Sequence, residues 1–232
     1  MPESAWRVAV IDSGVGLCDQ APVQSARRFI DNGAQIIEAE LAPDPTGHGT
    51  VITRIIVSAG VPVELYAAQV TDAEGRATPA AVAAALSWAL AQRAQLIHLS
   101  LGLRHDRAVL AAAIARVMTV GAVIVASTPA RGVRTYPASY PGVIRATGDA
   151  RCGREEISHL ATPWADFGAC AVHWSSNAQA QRGASVGAAH LTRFILAHLP
   201  PSTEPAAISR SLAAYARYRG AERRAAMSIS CS

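Results

Sequence analysis

The feature that most constrains the fold is an alternation between short β-branched runs and alanine-rich segments of helical period. Each run has the length of a buried strand, and each segment between two runs has the length and apolar spacing of a helix. Helices that join buried strands in this way are typical of crossover units, which make the strands parallel and cover both faces of the sheet. The sequence therefore predicts an α/β fold with a doubly wound, mostly parallel sheet and helices on both faces. The runs are residues 7–11, 63–70, 96–102 and 122–126, and the helical segments are 80–94 and 107–120.

The rest of the chain extends this sheet without dividing it. The sequence has no internal repeat and no long linker, which predicts a single domain over residues 1–232. Residues 17–45 have no clear period apart from a short strand at 36–41, and residues 149–182 are rich in loops with short strands. A last amphipathic helix is expected at 205–219.

Charge and cysteine usage exclude several classes of protein. The formal charge is +4, and all 21 basic residues are arginines that are scattered without a long basic run, so we expect no nucleic-acid partner. No apolar run is long enough to cross a membrane, and the N-terminal residues lack the pattern of a signal peptide, so we expect no membrane partner. These features predict a cytoplasmic protein with reduced thiols and no metal or cofactor, although the spacing leaves a single disulfide open. The cysteines are Cys18, Cys152, Cys170 and Cys231.

Three polar residues stand at the ends of predicted elements. Asp12 follows the first strand, His48 precedes a helical segment inside a glycine turn, and Ser185 lies where a small-residue turn becomes a helix. Taken singly, the histidine is more often a surface residue and the serine more often a helix N-cap, while the aspartate is as often a residue that makes a turn. Taken together, they are the groups of nucleophilic acyl transfer, in which serine attacks, histidine carries the proton and aspartate orients the imidazole.

The sequences around these residues resemble those of the subtilisin-like serine proteases, the subtilase family. Residues 8–15 (VAVIDSGV) resemble the aspartate block of that family, residues 47–50 (GHGT) its histidine block, and residues 183–190 (GASVGAAH) its serine block. Residues 97–102 and 136–144 match two further blocks around the specificity pocket. The resemblance covers about residues 6–199, with a helix and tail beyond, and implies a compact subtilisin-like fold without a propeptide domain.

The resemblance implies a serine endopeptidase that uses Asp12, His48 and Ser185 on a peptide or protein substrate. The substrate would add as a strand beside residues 100–102, with the residue before the cut in a pocket based near Thr135. No acidic residue stands at that base, so a small or medium side chain is expected there. The implied substrate-binding residues are Ser100, Leu101, Gly102, Ala126, Ser127, Thr128 and Thr135.

Two departures from the family pattern concern the oxyanion hole. Ala130 stands where the family has an asparagine that donates to the oxyanion, and Ala184 stands where it usually has threonine. The backbone N–H of Ser185 remains, and the position of Gln181, Arg182 and Arg131 makes each a candidate for the missing donor. The segment after His48 is also shorter than the one in which secreted members carry calcium, and it lacks an oxygen-rich cage, so no tight calcium site is expected.

These departures fit a dedicated intracellular processing enzyme, similar to the small subtilases that remove leaders from modified peptides in bacteria. Its partner would then be a leader-bearing precursor. A catalytically impaired subtilase fold that binds peptides or acts as a scaffold is the main alternative, since it would need no oxyanion hole. An esterase or peptide ligase that uses the same acyl-enzyme is a third.

Overall fold

The fold is built around one ten-stranded, mostly parallel sheet, which confirms the predicted architecture. The computed structural model describes residues 5–16, 23–174 and 180–222, without the side chain of Trp174. The strands are β1 (Trp6–Asp12), β2 (Val23–Asp31), β3 (Ile36–Ala39), β4 (Val63–Gln69), β5 (Leu96–Leu99), β6 (Val123–Ser127), β7 (Ile144–Asp149), β8 (Ile157–His159), β9 (Phe167–Cys170), β10 (Val172–Trp174), β11 (Ala180–Arg182) and β12 (Tyr218–Arg219). The helices are α1 (His48–Val57), α2 (Pro79–Ala91), α3 (Ala108–Thr119), α4 (Ala184–His198) and α5 (Pro205–Tyr215).

The sheet has helices on both faces because its central strand is apolar on both sides. In β1, Val8 and Val10 face the core that α1, α4 and α5 cover, whereas Ala9 and Ile11 face the core under α2 and α3. A strand that is buried on both faces is a near-continuous apolar run, which is why periodicity alone located β1.

The strand order places a crevice at the end of β1. The order across the sheet is β12-β8-β9-β7-β6-β5-β1-β4-β2-β3, and only the β2–β3 and β8–β9 pairs in it are antiparallel. The chain leaves β1 toward β4 on one side and continues from β5 toward β6 on the other. Strand order therefore reverses between β1 and β5, and such a switch point opens a ligand crevice at the carboxyl ends of the strands.

Two expectations from the sequence were wrong. Residues 23–31 form β2, although no regular pattern was recognised there, because the strand pairs with β4 on one side and β3 on the other. The last helix ends at Tyr215 rather than at residue 219, since Tyr218 and Arg219 pair with β8 as a short edge strand.

Candidate active site

Asp12 and His48 form a hydrogen-bonded pair at the crevice. Asp12 is the last residue of β1 and is 4% exposed, while His48 is the first residue of α1. Asp12 Oδ1 lies 2.8 Å from His48 Nδ1 and also accepts the Ser13 N–H at 2.6 Å. Because a carboxylate only accepts hydrogen bonds, the His48 proton lies on Nδ1, and Nε2 is left as the basic nitrogen.

A second carboxylate, Asp44, fixes the loop that carries His48. Asp44 Oδ1 accepts the Gly47 N–H at 3.0 Å, and Oδ2 accepts the Thr50 N–H at 2.9 Å and its hydroxyl at 2.6 Å. Burial opposes ionisation of Asp44, but the hydrogen bonds from Thr50, Ser13 and Thr46 together lower its pKa. Asp44 was not recognised in the sequence, where the only signal is its place three residues before a glycine turn.

Electrostatics favour the protonated form of His48. The hydrogen bond to Asp12 raises the pKa of His48, and this effect outweighs the opposing effect of burial. The negative charges of Asp12 and Asp44 raise the pKa further. An imidazole that is stabilised when it gains a proton is suited to be a general base.

Ser185 lies in the first turn of α4. Gly183, the N-cap, has φ 120° and offers no side chain to the helix, and the Ser185 N–H has no hydrogen-bond partner within the described ranges. The hydroxyl of Ser185 donates to the carbonyl of Ser100 at 3.3 Å. The serine therefore stands at the positive end of a helix, beside an unused backbone donor.

Two glycines allow the helices that carry these residues to approach the sheet. A Cβ atom on Gly49 would lie 2.2 Å from the Gly14 carbonyl oxygen, and a Cβ on Gly187 would lie 2.3 Å from that of Thr147. Both contacts are with backbone, which has no freedom to move aside. Glycine at these positions sets how closely α1 and α4 reach the crevice.

One cleft contains Asp12 and His48, and one of its lining residues contacts Ser185. A cavity of about 610 Å³ is lined by Asp12 and His48 on one side and by Ser100, Leu101 and Gly102 on the other. Ser185 does not line this cavity, but its hydroxyl contacts the carbonyl of Ser100, which does. The structure thus joins Asp12 and His48 by a hydrogen bond and places Ser185 against Ser100, which lines their cleft.

The sequence carries the signature of one family throughout this region. A sequence model of the subtilase family, Peptidase_S8, matches residues 3–195. The chain belongs to the subtilase family. Its fold agrees: a structure titled S41 Psychrophilic Protease superposes with a TM-score of 0.63 at 17% identity, over 91% of this chain and 82% of that one. Sphericase superposes with a TM-score of 0.65 at 17% identity, over 92% and 83%.

Curated relatives of this subtilase align over part of their length. The thermostable alkaline protease of Halalkalibacterium halodurans is 31% identical over 150 residues, which are 60% of this chain and 40% of that protein. The minor extracellular protease Epr of Bacillus subtilis is 25% identical over 150 residues, which are 60% of this chain and 22% of that protein. The chain therefore spans less than half the length of these two relatives.

The structure of the subtilase places the substrate-binding candidates in two groups. Within the described ranges, the backbone groups of Leu101 and Gly102 have no hydrogen-bond partner. Thr135 lies against Gly102, since a Cβ on that glycine would be 3.2 Å from the Thr135 Cβ. The second group lies buried where β6 ends, next to β5, and does not line the cleft of Asp12 and His48; its role as a pocket wall stays a prediction. These residues are Ala126, Ser127 and Thr128.

The candidate oxyanion donors lie on two other segments of the subtilase. Gln181 and Arg182 are on β11, which pairs with β10, and Arg131 is exposed in the loop after β6. Ala130 and Arg131 line a cavity of about 990 Å³ together with Thr147 and Gly148, against which the start of α4 packs. The choice among the three donors stays a prediction.

A buried histidine lies behind the site and was not singled out in the sequence. His98, in β5, is fully buried, with Nδ1 2.9 Å from Thr192 Oγ1 and Nε2 2.5 Å from Ser100 Oγ. Burial lowers the pKa of His98 to about 3, and the nearby positive charge of His48 adds to this effect. His98 is therefore neutral and supports Ser100, whose carbonyl accepts the Ser185 hydroxyl.

Of the cysteines that the structure describes, none lines the cleft of Asp12 and His48. Cys152 is buried and Cys170 half-buried, and both are free thiols. Cys18 and Cys231 lie outside the described residues. In the part of the chain that the structure describes, no three His, Cys, Asp or Glu side chains are grouped to hold a metal ion, and no helix could span a membrane.

Proposed function

We propose that the chain is a serine endopeptidase in which Ser185 is the nucleophile, His48 the general base and Asp12 the residue that orients it. The observation that carries this proposal is the 2.8 Å contact between Asp12 Oδ1 and His48 Nδ1. These residues line a cleft together with Ser100, whose carbonyl accepts the Ser185 hydroxyl. Membership of the subtilase family supports it.

The proposed chemistry proceeds in two steps. Ser185 Oγ attacks the peptide carbonyl carbon while its proton passes to His48 Nε2, and Asp12 stabilises the imidazolium that forms. The Ser185 N–H donates to the oxyanion, and His48 returns the proton to the leaving amine as the C–N bond breaks. Water then attacks the acyl-enzyme, gives its proton to His48, and releases the acid as Ser185 regains its hydrogen.

The backbone beside the cleft supports an extended peptide as substrate. Leu101 and Gly102 offer N–H and C=O groups that have no partner among the described residues, and an extended peptide satisfies such groups by adding a strand. Thr135 contributes no charge where the substrate side chain before the cut would lie, so nothing there favours a basic side chain. A small or medium side chain is the one we propose for that position of the substrate.

We further propose that the physiological substrate is a leader-bearing precursor. The resemblance to the family implies that Ala130 replaces a donor to the oxyanion, and loss of such a donor typically costs on the order of 10² to 10³ in kcat. An enzyme that cuts one precursor once tolerates slow turnover. The small cross-linked subunit of quinohemoprotein amine dehydrogenase is the candidate, and mass spectrometry after incubation checks it: the leader is removed by the wild-type chain and retained with Ser185→Ala.

A fluorophosphonate probe tests the catalytic proposal directly. The probe forms a covalent bond only with an activated serine, so we expect the wild-type chain to be labelled and Ser185→Ala to stay unlabelled. The scaffold alternative is favoured by Ala130 and Ala184, and it predicts an unlabelled wild-type chain. Labelling of Ser185→Ala equal to that of the wild type would assign the reactivity to another residue.

A further inference from the structure

Four exposed arginines lie on two loops that the structure brings together, and one of them lines the cleft. Arg104 lines the cleft itself, in the same cavity as His48, and directly follows Leu103. Leu103 and Tyr136 exchange backbone hydrogen bonds of 2.7 and 2.8 Å, which hold the loop of Arg134 beside that of Arg104. We call these residues the arginine rim: Arg104, Arg107, Arg131 and Arg134.

The arginine rim has more positive charge than its surroundings neutralise. Its side chains are exposed, and none has a carboxylate partner within residues 5–16, 23–174 and 180–222. Asp106 is the acidic residue in these two loops, and its carboxylate accepts the Tyr140 hydroxyl at 2.7 Å. By contrast, Arg76 on the opposite wall is paired with Asp72 at 2.8 Å and Glu74 at 2.9 Å.

From this placement we propose that the arginine rim recognises acidic side chains on the substrate, before the bond that is cut. The inference rests on the proposed endopeptidase function. When Ser185 attacks the bond to be cut, the substrate peptide lies beside Ser100 and runs past Leu101 and Gly102. The substrate residue about four positions before that bond then reaches Arg104. Guanidinium groups bind carboxylates with paired hydrogen bonds, and a patch of one sign speeds the encounter with a partner of the other sign.

A peptide is favoured over nucleic acid as the acidic partner. The rim is confined to two neighbouring loops, and Arg104 lines the same cavity as Leu101 and Gly102, whose backbone groups are available for strand pairing. A nucleic-acid site would instead require positive charge spread along a backbone path.

Binding to the full chain with Ser185→Ala separates this inference from catalysis. Fluorescence anisotropy compares a peptide that has three glutamates before a central alanine, its glutamine counterpart, and an oligodeoxynucleotide of equal charge. At about 50 mM salt we expect the glutamate peptide to bind about tenfold more tightly than the glutamine peptide, since exposed ion pairs each contribute a few-fold. Near 1 M salt, where screening acts over about 3 Å, the difference should disappear.

Variants then locate the effect. Arg104→Gln with Arg134→Gln should reduce the preference to about twofold, whereas Arg210→Gln, an exposed arginine on α5, should leave it at about tenfold. Equal binding of the glutamate and glutamine peptides would overturn the inference, as would tighter binding of the oligonucleotide or an equal loss with Arg210→Gln. Failure of the endopeptidase proposal appears separately, as absence of fluorophosphonate labelling.

Discussion

At the scale of single residues, two carboxylates divide the work around His48. Asp12 bonds the imidazole, whereas Asp44 bonds the backbone and hydroxyl groups of the loop that carries it. Both raise the pKa of His48, Asp12 through a hydrogen bond and charge and Asp44 through charge alone. Replacing either carboxylate should therefore shift the pH dependence of activity, and replacing Asp12 should shift it more than replacing Asp44.

The fall of kcat/KM on the acid side of the pH–rate profile, its acid limb, should report the raised pKa of His48. Only neutral His48 accepts the serine proton, so kcat/KM should fall as pH decreases through that pKa, which lies above 6.5. Asp12→Asn removes the main cause, so the limb should move to lower pH while kcat falls on the order of 10⁴-fold. A pH–rate profile measures both changes. Asp44→Asn should give a smaller shift in the same direction, and an unmoved limb in Asp12→Asn would contradict the assignment of His48.

The proposed absence of an oxyanion donor at Ala130 yields a prediction of increased activity. Ala130 lines a cavity with Gly148, and Gly148 packs against Gly183 at the start of α4. Ala130→Asn would restore a donor at this position, so we expect kcat to rise, by as much as about 10²-fold. Single-turnover cleavage of a peptide ester measures this change, with Ala130→Leu as the matched control that adds volume without a donor. A gain in Ala130→Leu equal to that in Ala130→Asn would refute the electrostatic explanation.

At the scale of elements, α4 carries Ser185, the proposed nucleophile, and Gly187 sets the distance of this helix from β7. A Cβ on Gly187 would lie 2.3 Å from the Thr147 carbonyl oxygen and 2.5 Å from the Gly148 nitrogen. Gly187→Ala should therefore displace α4 and destabilise the fold by about 1–3 kcal/mol. Urea unfolding gives the stability, and fluorophosphonate labelling gives the position of Ser185.

The control for this prediction is a glycine with free space. A Cβ on Gly153 would meet only the end of the Glu156 side chain, at 3.5 Å, and Gly153 does not have a left-handed φ. Gly153→Ala should change stability by no more than about 0.5 kcal/mol. Equal effects of the two substitutions would show that the close approach of α4 to β7 contributes nothing.

Elements buried on both sides were predictable, and edge elements were not. The apolar runs of β1, β4 and β5 specify strands without reference to their neighbours, and the glycine turns located His48 and Ser185. In contrast, Arg27 and Arg28 interrupt the apolar pattern of β2, and pairing with β4 and β3 decides its structure. The contact of His98 with Thr192 was hidden for a similar reason, because these residues lie 94 positions apart in the sequence.

At the scale of the whole molecule, buried neutral histidines make the fold sensitive to acid. His98 is fully buried, and its pKa is lowered to about 3; His190 is 1% exposed, and burial lowers its pKa to about 4, helped by the nearby charge of His173. In the unfolded chain both rings gain a proton near pH 6.5, the ordinary value for histidine. Below that pH the unfolded state binds more protons than the folded state, so stability falls as pH decreases toward the folded-state values.

His98→Asn should remove part of this acid sensitivity. Between pH 7 and pH 5, protonation of the unfolded His98 should cost the wild-type fold about 2 kcal/mol that the variant does not lose. Urea unfolding at both pH values gives the four free energies, and the difference of differences cancels any constant cost of the lost contacts with Ser100 and Thr192. His105→Asn, at an exposed position, is the matched control. The carboxylates respond equally to pH in all three chains. An identical loss of stability in wild type and His98→Asn would therefore mean that His98 gains a proton in the folded state as well. The assignment of His98 as a neutral ring that supports Ser100 would then be wrong.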